Sequence, residues 1–82
     1  MKLVWEDAAL EDLRELAEWS QPRARAVVEA MEWMAGVGFS LGRVVGDDRY
    51  WPVPPLGVFY HLEAGVIYVT AVIDARRRRE SW

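Results

Sequence analysis

The stretch "VFYHLEAGVIYVTAVI" (58–73) contains two runs of β-branched and aromatic residues on either side of a short "EAG" segment. Such runs favour β-strands, and a break of three residues that includes glycine is typical of an antiparallel hairpin. We therefore predict strands at 58–62 and 66–73, joined by a turn at 63–65, as the centre of the fold.

The N-terminal segment predicts a strand followed by a helix. "KLVWE" (2–6) is short, apolar and compatible with a strand, and Asp7 is a suitable N-cap for a helix after it. Apolar residues then recur at helical spacing: Leu10, Leu13, Leu16 and Ala17. On the polar face of this helix, Arg14 and Glu18 are placed for an i,i+4 ion pair.

A second helix is predicted directly after the first. "WSQP" (19–22) ends one helix and begins the next, with Ser20 or Gln21 in the cap region. Gly36 and Gly38 are expected to end the second helix. Because the link is short, the two helices should form an antiparallel hairpin. The apolar stripe of the second helix is Ala24, Val27, Val28, Met31, Met34 and Ala35.

The segment between the helices and the central hairpin is harder to interpret. Residues 36–48 are rich in glycine and predict irregular structure, whereas "RYWPVPP" (49–55) has strand-like aromatics interrupted by prolines. Proline cannot donate a ladder hydrogen bond, so we expect an edge strand or a partly paired strand there. The predicted order is β-α-α-β-β-β. It corresponds to an α+β, two-layer fold with a helical hairpin packed on a small, mainly antiparallel sheet.

Composition narrows the possible classes of function. The 82 residues predict one domain, 1–82, with a formal net charge of −3. The chain has no cysteine and one histidine, so we expect no metal site and no cofactor. No signal peptide and no apolar run long enough to cross a membrane is evident, which predicts a cytoplasmic protein without membrane contact. Among the tryptophans, Trp5, Trp19 and Trp33 are expected in the core or between helices.

The charges are distributed unevenly along the chain. Residues 1–33 carry four bases and eight acids, whereas the chain ends in "DARRRRESW" (74–82), with four consecutive arginines. Guanidinium groups bind phosphate and carboxylate bidentately. This asymmetry predicts two faces with different partners.

These segments together resemble the RelE/ParE family of bacterial toxins from type II toxin–antitoxin modules. The opening "VWEDAALEDLRELAEW" is similar to the family's first strand and helix, and "VFYHLEAGVIYVTAVI" is similar to its paired strands. The ending "DARRRRESW" resembles a frequent family ending of paired arginines, an acidic residue and a terminal tryptophan. The resemblance covers nearly the whole chain and implies a growth-inhibiting toxin neutralised by a cognate antitoxin.

The resemblance implies two alternative targets. One is mRNA in the ribosome, cut by a RelE-like endoribonuclease in which Arg76, Arg77 and Arg49 would serve the reaction. The other is DNA gyrase, which ParE-like toxins block by protein–protein binding. Family nucleases usually carry an arginine where this chain has Gly57, and a tyrosine or histidine near the end, where this chain has Trp82. Because indole cannot act as a general acid or base, we favour the gyrase alternative. A toxin that kept only antitoxin binding is a third possibility.

Partner contacts are predicted at both ends of the chain. Arg76 and Arg77 are expected to bind carboxylates of the antitoxin tail or phosphates. Trp82 and Trp51 are candidates for aromatic anchors, although core packing is the stronger expectation for Trp51. The antitoxin tail is expected to lay apolar side chains at two places, the segment 49–55 and the groove beside the first helix, with Leu10 and Leu13. His61 is interpreted as an ordinary strand residue on the solvent face.

Overall fold

A computed structural model describes residues 1–38 and 41–74 of the chain. Two helices pack on a five-stranded mixed sheet, which confirms the predicted α+β class with its helical hairpin. The elements in chain order are β1 (Lys2–Trp5), α1 (Asp7–Trp19), α2 (Gln21–Val37), β2 (Arg43–Val45), β3 (Asp48–Val53), β4 (Leu56–Glu63) and β5 (Val66–Asp74).

The strands follow the spatial order β1-β5-β4-β3-β2. The pairs β5–β4, β4–β3 and β3–β2 are antiparallel, and β1 is parallel to β5. The sheet is therefore mainly antiparallel, as predicted. The parallel pair arises because the two helices carry the chain from β1 back across one face of the sheet before the antiparallel strands begin.

The prediction for residues 36–48 was wrong in one respect, because β2 forms there and adds a strand. Its three residues pair with Asp48, Arg49 and Tyr50, so β3 is not an edge strand but a partly paired inner strand, the second of the two alternatives predicted for this segment. Beyond Tyr50, β3 has β4 on one side and no further strand among the described residues on the other. Pro52 lies in that half, where a missing amide donor is tolerated. A cis peptide bond joins Pro54 and Pro55 before β4 begins.

The central hairpin forms as predicted. Ala64 and Gly65 connect β4 to β5 and both have positive φ, at 51° and 77°. Positive φ at both central residues is the geometry that matches the right-handed twist of paired strands, and glycine adopts it without steric cost. A bulge at Thr70 shifts the register, since Phe59 pairs with Ala71 and Tyr60 with Val69.

A single residue, Ser20, links the two helices and is both the C-cap of α1 and the N-cap of α2. Its amide ends α1 by donating to the carbonyl of Leu16 at 2.8 Å, and its Oγ accepts from the amide of Arg23 at 3.3 Å to cap α2. Gly38 ends α2 in the left-handed conformation at φ 81°, as predicted. Gly36 was predicted to end the helix but lies inside it.

The N-cap of α1 also differs from the prediction. Because α1 begins one residue earlier than expected, Glu6 occupies the cap position. Its side chain makes no cap hydrogen bond. Asp7 is instead the first residue of the helix, where its carboxylate still interacts favourably with the helix dipole. Farther along α1, Asp12 ties the helix to the sheet, since the amide of Val72 donates to Asp12 Oδ2 at 3.0 Å.

The core lies between the helical hairpin and the sheet. The predicted stripe of α2 is buried apart from the half-buried Val28, and Trp5 packs against the core as expected. Trp19 and Trp33 were predicted as packing residues but are 78% and 57% exposed. Trp33 lies off the buried stripe, and Trp19 lies at the last turn of α1. The fully buried large side chains are Tyr60, Met31, Met34, Ile67, Val27, Val58 and Val69.

Candidate functional site

A groove runs along the helical hairpin, and both helices contribute its walls. Its volume is about 440 Å³. We name it the hairpin groove and define it by Leu10, Leu13, Arg14 and Ala17 of α1 and Gln21, Ala24, Arg25 and Val28 of α2. It contains Leu10 and Leu13, the two apolar residues expected from the resemblance to contact an antitoxin, and that contact stays a prediction.

The spacing of the lining residues explains the shape of the hairpin groove. Each helix contributes positions i, i+3, i+4 and i+7, starting at Leu10 in α1 and at Gln21 in α2. Such a set lies on one face of a helix over two turns. Because Ser20 alone separates the helices, the two sets face the same side of the hairpin. Leu10 is 43% exposed there, whereas Leu13 and Leu16 of the same helix are half-buried.

The charges of the hairpin groove differ from those of the helices around it. Arg14 and Arg25 occupy the same i+4 position in the two sets, and no lining residue is acidic. Arg14 Nη1 is 3.1 Å from Glu11 Oε1, in place of the predicted pair with Glu18. Arg25 makes no ion pair with any residue that the structure describes. The groove therefore presents two guanidinium groups beside an apolar floor, on the acidic half of the chain.

The face of the sheet opposite the helices carries a row of rings. Tyr50 contacts Phe59 with ring centroids 5.0 Å apart, and His61 stacks on Tyr68 at 4.9 Å. The guanidinium of Arg43 lies 5.9 Å from the centroid of Tyr50. These side chains are partly exposed apart from the exposed Arg43, and no described helix covers them. We name this surface the open sheet face.

The open sheet face includes Gly57, the position at which the resemblance led us to expect an arginine in a nuclease. Gly57 shares this face with Phe59 because both point to the same side of β4. The phenol ring of Tyr50 lies directly over Gly57, so that even a Cβ at this position would meet the ring and its hydroxyl. The place of the expected arginine is thus filled by Tyr50.

The other residues predicted for catalysis are not brought together in the described part of the chain. Arg49 pairs across β3–β4 with Tyr60 and therefore points toward the helix-covered face, away from Gly57. Arg76, Arg77 and Trp82 lie outside the described residues. His61 points to the opposite face from the buried Tyr60, as expected, and its Nε2 is 3.9 Å from Glu63 Oε2.

Trp51 is half-buried and packs against the core, which agrees with the packing expectation. Its contact with a partner stays a prediction. Sequence reasoning missed the exposed Trp33, although helical spacing could have found it. Positions 27, 31, 34 and 35 define the buried stripe of α2, and residue 33 lies off that stripe.

A smaller recess, of about 80 Å³, lies where α1 meets the end of β5. Asp12, Glu15 and Asp74 contribute its carboxylates, and Trp19 forms part of its rim. One Asp12 oxygen already accepts the amide of Val72. This recess therefore serves the attachment of α1 to the sheet.

Within residues 1–38 and 41–74, no group of histidine, aspartate or glutamate side chains is arranged to hold a metal ion. No described helix is long and apolar enough to span a bilayer. Comparison with known proteins adds no relative: no protein-family model matches the sequence, and a search of curated proteins returns no match.

Proposed function

We propose that this chain is a growth-inhibiting toxin of a type II toxin–antitoxin module, related to the RelE/ParE family, that acts by binding a protein target rather than by cutting RNA. The proposed target is DNA gyrase, as in the ParE branch of the family. A cognate antitoxin neutralises the toxin. The sequence resemblance over nearly the whole chain supports the class, and the observed α+β architecture is compatible with it.

One observation carries the choice of mechanism, namely the ring of Tyr50 over Gly57. Cleavage of RNA in this family relies on positive charge at the scissile phosphate, and preorganised charge of this kind is usually the largest catalytic contribution. Here an arginine side chain is absent, and the space for it is occupied. Arg49 is no substitute, because it points to the other face of the sheet. A protein-binding toxin needs neither group.

A second candidate function is a ribosome-dependent endoribonuclease. The observation that favours it is the open sheet face, where Tyr50, Phe59, His61 and Tyr68 present rings near Arg43. Aromatic side chains on a sheet can stack with unpaired bases, and an arginine beside them can contact phosphate. The low pI of about 5.0 opposes binding of a polyanion.

The proposal is tested by induced expression in a bacterium without the antitoxin, with methionine and thymidine incorporation measured over the first minutes. The expected result is an early fall in thymidine incorporation while methionine incorporation continues. An early fall in methionine incorporation with DNA synthesis intact would instead identify translation as the target and overturn the gyrase proposal. If neither changes although the protein is folded, the toxin proposal fails and the third possibility, an inactive homologue, is favoured.

Met31→Asp provides the matched control for this experiment. Met31 is fully buried, so an unpaired charge there unfolds the domain without altering any exposed surface residue. Growth inhibition that persists in Met31→Asp at equal expression would come from overproduction and not from a folded toxin.

A further inference from the structure

The recess between α1 and the end of β5 carries more negative charge than the attachment of α1 to the sheet uses. That attachment involves one carboxylate, since Asp12 accepts the amide of Val72 at 3.0 Å. Glu15 makes no ion pair with any residue in the ranges 1–38 and 41–74. We name this surface the acidic recess and define it by Asp12, Glu15, Leu16 and Trp19 of α1 and Asp74 of β5.

The end of α1 makes the acidic recess a suitable place for a guanidinium group. The helix dipole leaves about half a negative charge at this end, and cationic side chains there are stabilising. However, α1 has no basic residue in its last turn, where Glu18 adds a carboxylate. Trp19 is 78% exposed beside it. Arginine can bind a carboxylate and stack on an indole, which lysine does less well.

α1 and β5 run alongside each other in the same direction. The amide of Glu6 donates to the carbonyl of Val69 at 3.0 Å, and Asp12 lies six residues later at Val72. Six helical residues and three strand residues both advance about 9–10 Å. A chain that leaves Asp74 in the direction of β5 therefore passes beside the last turn of α1.

The sheet offers no ladder partner for the residues that follow Asp74. Asp74 pairs with Leu56, the first residue of β4, and Leu56 is preceded by Pro54 and Pro55, which have no amide hydrogen to donate. On the other side of β5, β1 pairs only as far as Val69. Side-chain contacts must therefore hold the next residues, and these are an alanine and four arginines.

We infer that the acidic recess binds the protein's own C-terminal segment, residues 75–82, with the guanidinium of Arg76 against the carboxylate of Glu15 and the indole of Trp19. Asp74 shares the helix-covered face with the buried Leu56, and in an extended chain the side chain two residues later points the same way. Eight residues can extend up to about 26–29 Å, whereas the α1 side of the recess is about 10 Å long.

This contact divides the arginine run. Arg76 faces α1, whereas Arg77 points to the other side and stays available to a partner. A partner that uses Arg76 must first displace Glu15 and Trp19. Since exposed ion pairs are weak, the recess lowers the affinity of the segment for anionic partners only about twofold to fivefold. The inference is independent of the toxin assignment and goes beyond it, because it concerns a contact within the chain.

The first test measures the heteronuclear NOE of the backbone amides in the purified, 15N-labelled 82-residue chain. We expect the amide of Arg76 to be as restrained as those of β5, and less so at high salt. Values near zero or below from residue 75 onward overturn the inference. A restraint that appears only at concentrations where sedimentation shows a dimer assigns the recess to the segment of a second copy, and the inference is then wrong.

Charge reversal identifies the residue that is contacted. Glu15→Arg should release Arg76, and Glu15→Arg combined with Arg76→Glu should restore the restraint. Glu18→Arg is the matched control, because Glu18 is exposed on the same helix, the charge change is the same and its side chain does not line the recess. Equal release in Glu15→Arg and Glu18→Arg, or no recovery in the double variant, refutes the contact.

The effect on partner binding is measured with a fluorescein-labelled oligoglutamate peptide, titrated by anisotropy. Glu15→Gln should strengthen binding of this probe about twofold to fivefold relative to Glu18→Gln. Equal Kd values in the two variants would show that the recess does not restrain the arginines. All these measurements use purified protein, so a chain that does not inhibit growth can still confirm the contact, and a chain without the contact can still be a toxin.

Discussion

Substitution of Gly57 by alanine tests whether Tyr50 holds its place over the strand, on which the choice of mechanism depends. The new Cβ meets the outer atoms of the Tyr50 ring, so the ring must swing away. The ring then loses its contact with Phe59, worth about 0.5–1.5 kcal/mol, and its contact with Arg43, worth about 0.5–1 kcal/mol. Replacing glycine lowers the entropy of the unfolded chain, which offsets about 0.4–1 kcal/mol of this loss of stability. Alanine fits the backbone here without strain because Gly57 is not among the positive-φ glycines.

The net expectation is that Gly57→Ala lowers the free energy of unfolding by about 1 kcal/mol, or about 4–8 °C in Tm for a domain of this size. In a Tyr50→Ala background the ring is absent, and the same substitution should become neutral or stabilising by about 0.5 kcal/mol. The assay is urea denaturation of the wild type, both single variants and the double variant. The expected coupling between the two sites is about 1–2.5 kcal/mol.

Gly36→Ala is the matched control for the glycine substitution. Gly36 lies inside α2, and a Cβ there meets no atom within 4 Å, so alanine should raise stability by about 0.5–1 kcal/mol. If Gly57→Ala destabilises equally with and without the Tyr50 ring, Tyr50 does not occupy the site above Gly57. The structural argument against RNA cleavage would then fail.

Three further expectations concern the hairpin, its attachment and the chemistry. Ser20→Ala should lower the free energy of unfolding by about 0.5–2 kcal/mol because α2 loses its cap, whereas Ser20→Gly should lower it by only a few tenths. Thermal denaturation measures both variants, and equal losses would exclude capping by the Ser20 hydroxyl. Asp12→Ala should lower the free energy of unfolding by about 1–3 kcal/mol because the amide of Val72 loses its acceptor. Asp12→Asn keeps an acceptor oxygen and should lower it less. Urea denaturation measures both variants, and the opposite order would contradict the contact. The double variant Gly57→Arg with Tyr50→Ala restores space and charge at the expected nuclease position, and we expect no mRNA cleavage in a translation extract. Cleavage gained by this variant would support the endoribonuclease.

An element could be predicted from the sequence when the residues that determine it lie close together in the chain. The stripe of α2 repeats over three turns, so its buried face could be read directly, and the Ala64–Gly65 turn follows from local turn chemistry. β2 could not be predicted in the same way. Its three residues have no alternating pattern, and the strand exists because it pairs with the start of β3. Register with a neighbour, and not local preference, decides a strand this short.

The same holds for the candidate site: features set by residues close in sequence were predicted, and features set by contacts between distant elements were missed. Helical spacing placed Leu10 and Leu13 on one face of the first helix, and the resemblance added the expectation of partner binding there; both residues line the hairpin groove. The position of Arg25 in the hairpin groove was missed, since it depends on how α1 and α2 meet. The contact of Tyr50 with Gly57 was missed because it joins two strands whose register sequence alone does not specify.

Under the proposed function, the position of the two surfaces limits how an antitoxin could neutralise this protein. The hairpin groove lies on the helical layer, and the open sheet face lies on the other side of the sheet, so a helix bound in the groove leaves the rings uncovered. The acidic surface of α1 disfavours RNA on the helical side. If the protein cut RNA, the RNA would therefore have to bind the open sheet face. A protein target can bind either surface. A groove-binding helix that by itself abolishes growth inhibition would therefore place the target contact at the helical layer. One that binds without effect would place the target contact on the sheet, and the proposed antitoxin would then need a second segment to cover it.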